Sequence, residues 1–321
     1  MEQTGGEVSR PCLTRRSVIV TSLGASLAGC IGPQASGTPG VPKPIGAYGF
    51  GALKPLDLDP ANLTKITVCL RPFRPAGPRL QATRAGEKLL IHNYGHGGSG
   101  WSLAWGYAEA VRDMMMAERP QTVSVVGAGV MGLTSAIAIA ETGARVSIFA
   151  REMPMESASA KATGVWSPSS RIGMTGAVGS DFATRWEALA RRSYARHLLY
   201  VGRAGHPVEF TPRFYIRSDA PATPLAGVPD GSSRFLGLGR NLRGLAPPWG
   251  TRPWHPFPTE RGVRGGLVMT FNVAEYTRQL TEDFLALGGR IERVELASLE
   301  ALAGLPGDAV VNCTGFGARG L

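Results

Sequence analysis

An α/β fold, in which a parallel sheet flanked by helices carries a second, smaller antiparallel sheet, is what this 321-residue sequence predicts, and three observations carry the prediction. The first is the run "TVSVVGAGVMGLTSAIAIAETGARVSIFARE". It sets an apolar strand at Thr122 to Val126, a tight glycine turn, a helix to about Glu141 and a second strand at Arg145 to Phe149, which together make a βαβ unit. The second is a pair of short apolar runs that each end on glycine, "KLLIHNYGHGG", a strand running into a glycine loop, and "DAVVNCTG", a last buried strand. The third is the Pro-rich and Gly-rich sequence from Thr211 to Gly266, whose alternation with short apolar runs reads as the strands and loops of the smaller sheet.

Taken in chain order, the twin arginine Arg15 and Arg16, the apolar run Val18 to Leu27 and "LAGC" ending at Cys30 look like an export signal, too short to span a bilayer comfortably. The small residues before Cys30 resemble a bacterial lipobox, in which Cys30 would carry the lipid, and the twin arginine resembles the address of proteins exported already folded. Gly32 to Gly46 is polar and rich in Pro and Gly, hence a flexible tether. Lys65 to Leu70 reads as a short strand closed by Pro72 and Pro75. Leu89 to His92 reads as a strand entering the glycine loop, and Ser102 to Met116 as a helix leaving it. After the βαβ unit, Asp181 to Arg203 has helical periodicity with Ser180 or Asp181 as cap. The helix in "NVAEYTRQLTEDFLALGGRIERVEL" should stop at Gly288 and Gly289, ahead of a strand from Arg290 to Leu296. The domain boundaries that follow are 1–30 for the signal, 31–60 for the tether, 61–118 for a first segment of the enzyme fold, 119–170 with 260–321 for the nucleotide domain, and 171–259 for a partial cap.

With 43% hydrophobic and 18% charged residues the chain can bury a sizeable core. The net charge of +10 favours anionic substrates or surfaces, but the arginines are scattered and form no stripe, so no nucleic-acid partner is expected. Cys12, Cys30, Cys69 and Cys313 lack metal-type spacing and make no disulfide framework, so no metal site is expected.

Gly127-x-Gly129-x-x-Gly132 follows a strand and opens a helix, the context in which such a loop cradles a pyrophosphate against the helix N-terminus, with Ala128, Val130 and Met131 completing it. About twenty residues on, a carboxylate for the adenine ribose is needed, and Glu152 occupies that zone. Arg151 precedes it, and an arginine there could equally read a 2′-phosphate, which keeps a nicotinamide-phosphate alternative open. In "IHNYGHGGSGWSLAWG", Ile91 to Gly106, the glycines allow close approach to a ligand while His, Tyr, Trp and Ser add stacking faces and donors.

These motifs, together with "VVNCTG" at Val310 to Gly315, resemble the D-amino-acid oxidase family, which includes D-aspartate oxidases. The order is swapped: the family carries the His-Asn-Tyr-Gly-His-Gly-Gly block near its carboxyl end and the Gly-x-Gly loop at its start, so the resemblance implies a circularly permuted arrangement. It also implies truncation, since the family's middle section should follow "VVNCTGFGARGL", and the tyrosines that close over the amino acid have no counterpart among Tyr48, Tyr94, Tyr107 and Tyr215. The fold implied is a Rossmann-like FAD-binding domain with a smaller antiparallel-sheet substrate domain.

The resemblance implies that FAD is the cofactor and places its ring against Gly97, Gly98, Gly100, Trp101 and Ser102, where backbone amides, that of Gly98 included, stabilise negative charge. It assigns the stretch "SAKATGVWSP", Ser159 to Pro168, to wrapping the flavin, above all through the backbone of Ala162, Thr163, Gly164 and Val165, the backbone of Val294 to the adenine side, and Thr314 and Gly315 to a second nucleotide contact. It gives the substrate carboxylate to Arg79 in "RPFRPAGPRL", with Arg71 and Arg74 as other claimants, because arginine offers a planar bidentate fork. No acid-base pair stands out, and His92 and His96 read as structural. The implied reaction moves the α-hydrogen of a D-amino acid to flavin as hydride, yielding a 2-oxo acid and ammonia, with molecular oxygen taken to hydrogen peroxide. A glycine or sarcosine oxidase and a catalytically silent flavin-binding lipoprotein are the alternatives. The expected location is the outer or periplasmic face of a membrane through lipid on Cys30, or the cytoplasm if the signal is not processed.

Overall fold

The computed structural model of the chain describes residues 57–217, 234–245, 250–252 and 262–319. The signal at 1–30 with Cys12 and Cys30, and the tether from Gly32 to Gly46, lie outside them. Nine strands are named within the described residues: β1 Arg79–Ala85, β2 Lys88–Tyr94, β3 Thr122–Val126, β4 Arg145–Ala150, β5 Val208–Ile216, β6 Gly250–Arg252, β7 Val263–Phe271, β8 Arg290–Arg293 and β9 Ala309–Asn312. The α-helices are α1 Gly100–Met115, α2 Val130–Ala140, α3 Phe182–Leu198, α4 Val273–Ala286 and the short α5 Leu299–Ala303.

Six strands form one sheet in the order β1-β2-β9-β3-β4-β8. All of its neighbours are parallel except β1, which pairs antiparallel with β2 across the turn at Gly86 and Glu87. The central strands are apolar on both faces, as parallel strands between helices must be: β9 is buried throughout, and β3 from Val123 to Val126. Helix α2 is buried along its whole length, because its small Ala and Ser residues let it lie close against the sheet on one side and α1 and α4 on the other. Helix α4 starts at Asn272, whose side chain accepts from Glu275 N–H, and ends at Gly288 with φ 83°, where Gly289 N–H returns to the Phe284 carbonyl.

Strands β5, β7 and β6 make the smaller antiparallel sheet. Strand β7 belongs to it, so the nucleotide half begins only at α4 and not at residue 260. Val263, Val268, Met269 and Phe271 are buried, the last two within the main core, while Arg264 and Leu267 are exposed. The strand expected at Lys65 to Leu70 is not formed. That stretch lies exposed with no ladder partner, and its end is tied down by Cys69 Sγ on the Ala158 carbonyl, Gly97 N–H on the Pro72 carbonyl and the Phe73↔His96 bridge. Its β-branched residues satisfied a local preference that no neighbouring strand rewards.

A buried polar chain fixes how α1, α3 and α4 meet. His197 on α3 has one ring nitrogen, Nε2, 3.0 Å from the Trp101 carbonyl, which can only accept, so Nε2 carries the proton. Nδ1 is then left to accept from the Tyr276 hydroxyl at 2.8 Å, and that oxygen in turn accepts from Trp105 Nε1–H at 2.9 Å. Burial holds His197 neutral, its pKa lowered to about 3.

Candidate functional site

In an open parallel sheet the ligand crevice lies outside the carboxyl ends of the strands. Here the segments leaving β2, β9, β3, β4 and β8 all border one cleft of about 1090 Å³. They contribute Gly95 to Gly98, Cys313 to Gly315, Gly127 to Gly129, Arg151 with Glu152, and Val294.

The nucleotide end is made of backbone. Gly127 sits at φ 104° with its N–H on the Phe149 carbonyl, a conformation that only glycine adopts freely. A Cβ on Gly132 would stand 1.8 Å from the Gly127 carbonyl oxygen, so this glycine is what lets α2 start directly over the turn. Ala128, Gly129, Val130 and Met131 line the cleft between them. Gly129 caps α2 without a side chain, and Val130 N–H donates to Ser159 Oγ at 3.0 Å. A helix N-terminus held by one rotatable hydroxyl, facing a long cleft, fits a pyrophosphate. Ser159 and Lys161, from the stretch Ser159 to Pro168, also line this end, as does Arg319, which no glycine or strand pattern marks in the sequence.

Arg151 and Glu152 stand at the end of β4. Arg151 is 3.7 Å from Glu152 and 3.6 Å from Glu295, and carries Arg293 Nη1 on its carbonyl. Both pairs are exposed and longer than a hydrogen bond, so they hold Arg151 only weakly. Val294 continues the pairing beside them, its N–H on the Ala150 carbonyl. Ala162, Thr163, Gly164 and Val165 cross from the nucleotide end to the small sheet, where the Gly164 carbonyl accepts from Phe271 N–H at 2.7 Å and Val165 bridges Thr270.

At the other end the glycine loop is folded differently from the expectation. The Gly97 and Gly98 amides are already committed, to the Pro72 and Ser170 carbonyls at 3.0 Å each. They are not free to stabilise a ligand's charge. Three N–H groups in the first turn of α1, those of Gly100, Trp101 and Ser102, have no backbone acceptor among the described residues. They line the cleft, with the α1 dipole behind them. Trp101 is steadied by its Nε1–H on the Ser159 carbonyl, by His197 on its own carbonyl, and by stacking on Phe271. Ser102 Oγ accepts from Ser167 N–H. His96 is fully buried beneath the loop, edge-on to Tyr107, with its pKa lowered by burial to about 3, so it is a neutral packing element.

The cationic fork is also reassigned. Arg79 opens β1, where its Nη1 donates to the Tyr94 hydroxyl at 3.0 Å and its Nε to Gln81, and it borders a separate small hollow. Arg74 donates to the Gly77 carbonyl and packs its stem over Gly95. Arg71 is the one of the three that lines the cleft: a Cβ built on Gly98 would lie 2.6 Å from its Nη1 and 2.5 Å from Ser170 Oγ. Its guanidinium has no carboxylate partner among the described residues. The turn at Gly77, φ 84°, lies between Arg71 and Arg79, which border different hollows.

A family model described as FAD dependent oxidoreductase (DAO) matches residues 122–321. The D-amino-acid oxidase of Rubrobacter xylanophilus is 35% identical over 200 residues, covering 61% of this chain and 53% of that protein. The D-amino-acid oxidase of Streptomyces coelicolor is 32% identical over 205 residues, covering 64% and 55%. A D-aspartate oxidase of Talaromyces thermophilus is 46% identical over 48 residues, covering 15% and 13%. The chain spans about half the length of the first two relatives.

Proposed function

Since the chain belongs to the FAD-dependent oxidoreductase family of D-amino-acid oxidase type, with FAD as its cofactor, we propose that it oxidatively deaminates D-amino acids to 2-oxo acids and ammonia. The observation that carries the reading is the meeting, in one cleft, of a pyrophosphate cradle, the open first turn of α1 and an uncommitted arginine beside Gly98. FAD, when bound, supplies an acceptor for the substrate's α-hydride, with molecular oxygen taking the electrons on to hydrogen peroxide. Gly127 to Gly132 and Ser159 hold the pyrophosphate, Glu152 takes the ribose, and the Gly100, Trp101 and Ser102 amides hold negative charge at the ring end. Arg71 binds the substrate carboxylate with its planar fork and so fixes whether the α-hydrogen faces the ring. No titratable pair is required, because orientation and charge stabilisation carry the step.

The same proposal reads residues 61–118 as the carboxyl-terminal part of the oxidase fold set ahead of the nucleotide domain. The pairing of β2 beside β9 supports it, since that pairing brings the glycine loop to the strand ends where a flavin ring needs it. The protein is further proposed to be an exported bacterial lipoprotein carried by the twin-arginine route and anchored through Cys30, on the strength of the sequence at its start. A glycine or sarcosine oxidase shares the carboxylate fork, and a silent flavin-binding lipoprotein shares the cradle. Anaerobic addition of D-amino acids, glycine and sarcosine to the FAD-loaded protein separates the three. Bleaching of the visible flavin bands by D-amino acids alone is expected, bleaching by glycine or sarcosine instead moves the substrate class, and bands that no amine bleaches overturn the enzyme reading.

A further inference from the structure

A second hollow, of about 270 Å³, opens on the β1–β2 hairpin and is lined by Arg79, Thr83, Arg84, His92, Tyr94 and Asn312 among others. Tyr94 borders both this hollow and the large cleft. No acidic side chain lines the hollow. Arg84 is neutralised by a bidentate pair with Glu118, at 2.7 and 3.1 Å. Arg79 differs: it has two neutral acceptors, Tyr94 Oη and Gln81 Oε1, and no carboxylate within ion-pair reach among the described residues. Guanidinium carries five N–H groups, so both hydrogens of Nη2 and one of Nη1 remain to be used. The Tyr94 hydroxyl accepts from Arg79, which leaves its own proton to donate.

The rest of the lining is internally satisfied. Asn312 Nδ2 is a donor, so His92 Nδ1 accepts from it at 3.4 Å and Nε2–H points at Thr83 Oγ1, 3.2 Å away. Burial, then Arg79 and Arg74, lower the His92 pKa to about 4, as expected beside guanidinium groups with no counter-ion of their own.

We propose that this hollow is a second anion site that takes a small carboxylate on the free edge of Arg79 and the Tyr94 hydroxyl, separate from the substrate fork at Arg71. One unpaired cation and one phenol match the charge and planarity of a monoanionic carboxylate. A phosphate dianion would need the second cation that Glu118 has removed. Because the Tyr94 ring lies under the Arg74 and Arg79 guanidinium groups, at 5.7 and 5.9 Å from its centroid, a carboxylate held here also fixes the wall it shares with the flavin cleft.

The test is calorimetric titration of the FAD-loaded full chain with acetate at constant ionic strength, in an Arg71→Gln background that removes the substrate fork. One acetate is expected to bind in that background, at least tenfold more weakly when Arg79→Gln is added and several-fold more weakly when Tyr94→Phe is added. The second change deletes only a hydroxyl and so reports even if Arg79→Gln perturbs the hairpin. Abolition of binding by Arg71→Gln alone would put the only anion site in the cleft and overturn the proposal, as would equal affinities with and without Arg79. Phosphate binding more tightly than acetate in the Arg71→Gln protein would overturn the carboxylate assignment.

Discussion

The two ends of the cleft are built on opposite plans. At the nucleotide end the ligand-facing surface is main chain, set by the register of β3, β4 and β9 and by glycines whose missing side chains are structural requirements. At the ring end the decisive groups are a long arginine side chain on an exposed segment without strand partners and the first turn of α1, itself held by contacts from α3 and α4. The difference teaches where each end is vulnerable. The first fails through backbone geometry and tolerates polar changes, whereas the second fails through single side chains and leaves the fold standing.

The largest expected effect is Gly132→Val. The new Cβ cannot coexist with the Gly127 carbonyl, so α2 must move, at a cost of more than about 3 kcal/mol. Thermal unfolding and flavin-to-protein absorbance ratio should both collapse, and a variant that keeps its flavin would break the claim that the loop is geometrically strict.

Acid should strike the ring end next. His96 and His197 have folded pKa values near 3 against an ordinary 6.5, so the unfolded chain binds more protons in between, and stability is full above about pH 6.5 and falls as the pH drops toward 3. At pH 5 the loss is about 2 kcal/mol for each histidine. Melting curves from pH 7.5 to 4.5 check this, and His197→Gln should flatten the dependence. A stability that rises on acidification would contradict the neutral-histidine assignment.

Arg71→Gln should leave flavin content and melting temperature unchanged while lowering kcat/KM for a D-amino acid roughly 100-fold, the scale of a lost charge-assisted pair. Arg79→Gln should change it far less. The reverse order of effects would restore Arg79 to the substrate. The smallest change is Ser159→Ala, which frees Val130 N–H and removes about 1 kcal/mol of helix capping. Flavin dissociation measured by fluorescence should speed up only several-fold, since the glycine cradle stays in place.

How legible each end was in the sequence follows the same division. The βαβ unit could be read because hydrophobic period, strand length and glycine spacing are properties of neighbouring residues. Gly127 and Gly129, the 162–165 stretch and Val294 accordingly border the same cleft in the structure, with Gly132 packed behind Gly127. The Lys65 to Leu70 strand was misread because its β-rich composition is equally local, but a strand exists only when another chain segment pairs with it. The Gly97 and Gly98 amides were misread for a related reason. Their acceptors, Pro72 and Ser170, are remote in sequence, and no spacing rule announces them. Ser159 opens the stretch that the resemblance gives to the flavin, but a serine in a 3₁₀ turn carries no motif that assigns its side chain, although it reaches α2, α1 and the cleft at once.

What the sequence by itself determined is the backbone plan: a parallel sheet, a glycine turn at the mouth of α2, and a glycine-rich loop at the end of a buried strand. These depend on periodicity and on φ/ψ freedom, which act over a few residues. What only the tertiary structure decided is which polar groups face the cleft. Arg71 and Arg79 are eight positions apart in one segment, chemically identical, and either could have been the fork. The bridge from Phe73 to His96, the turn at Gly77 and the pairing of Arg79 with Tyr94 leave one in the cleft and the other at the β1–β2 hollow. A long side chain's address is set by the contacts that orient its backbone, and those contacts come from residues that the local sequence cannot see.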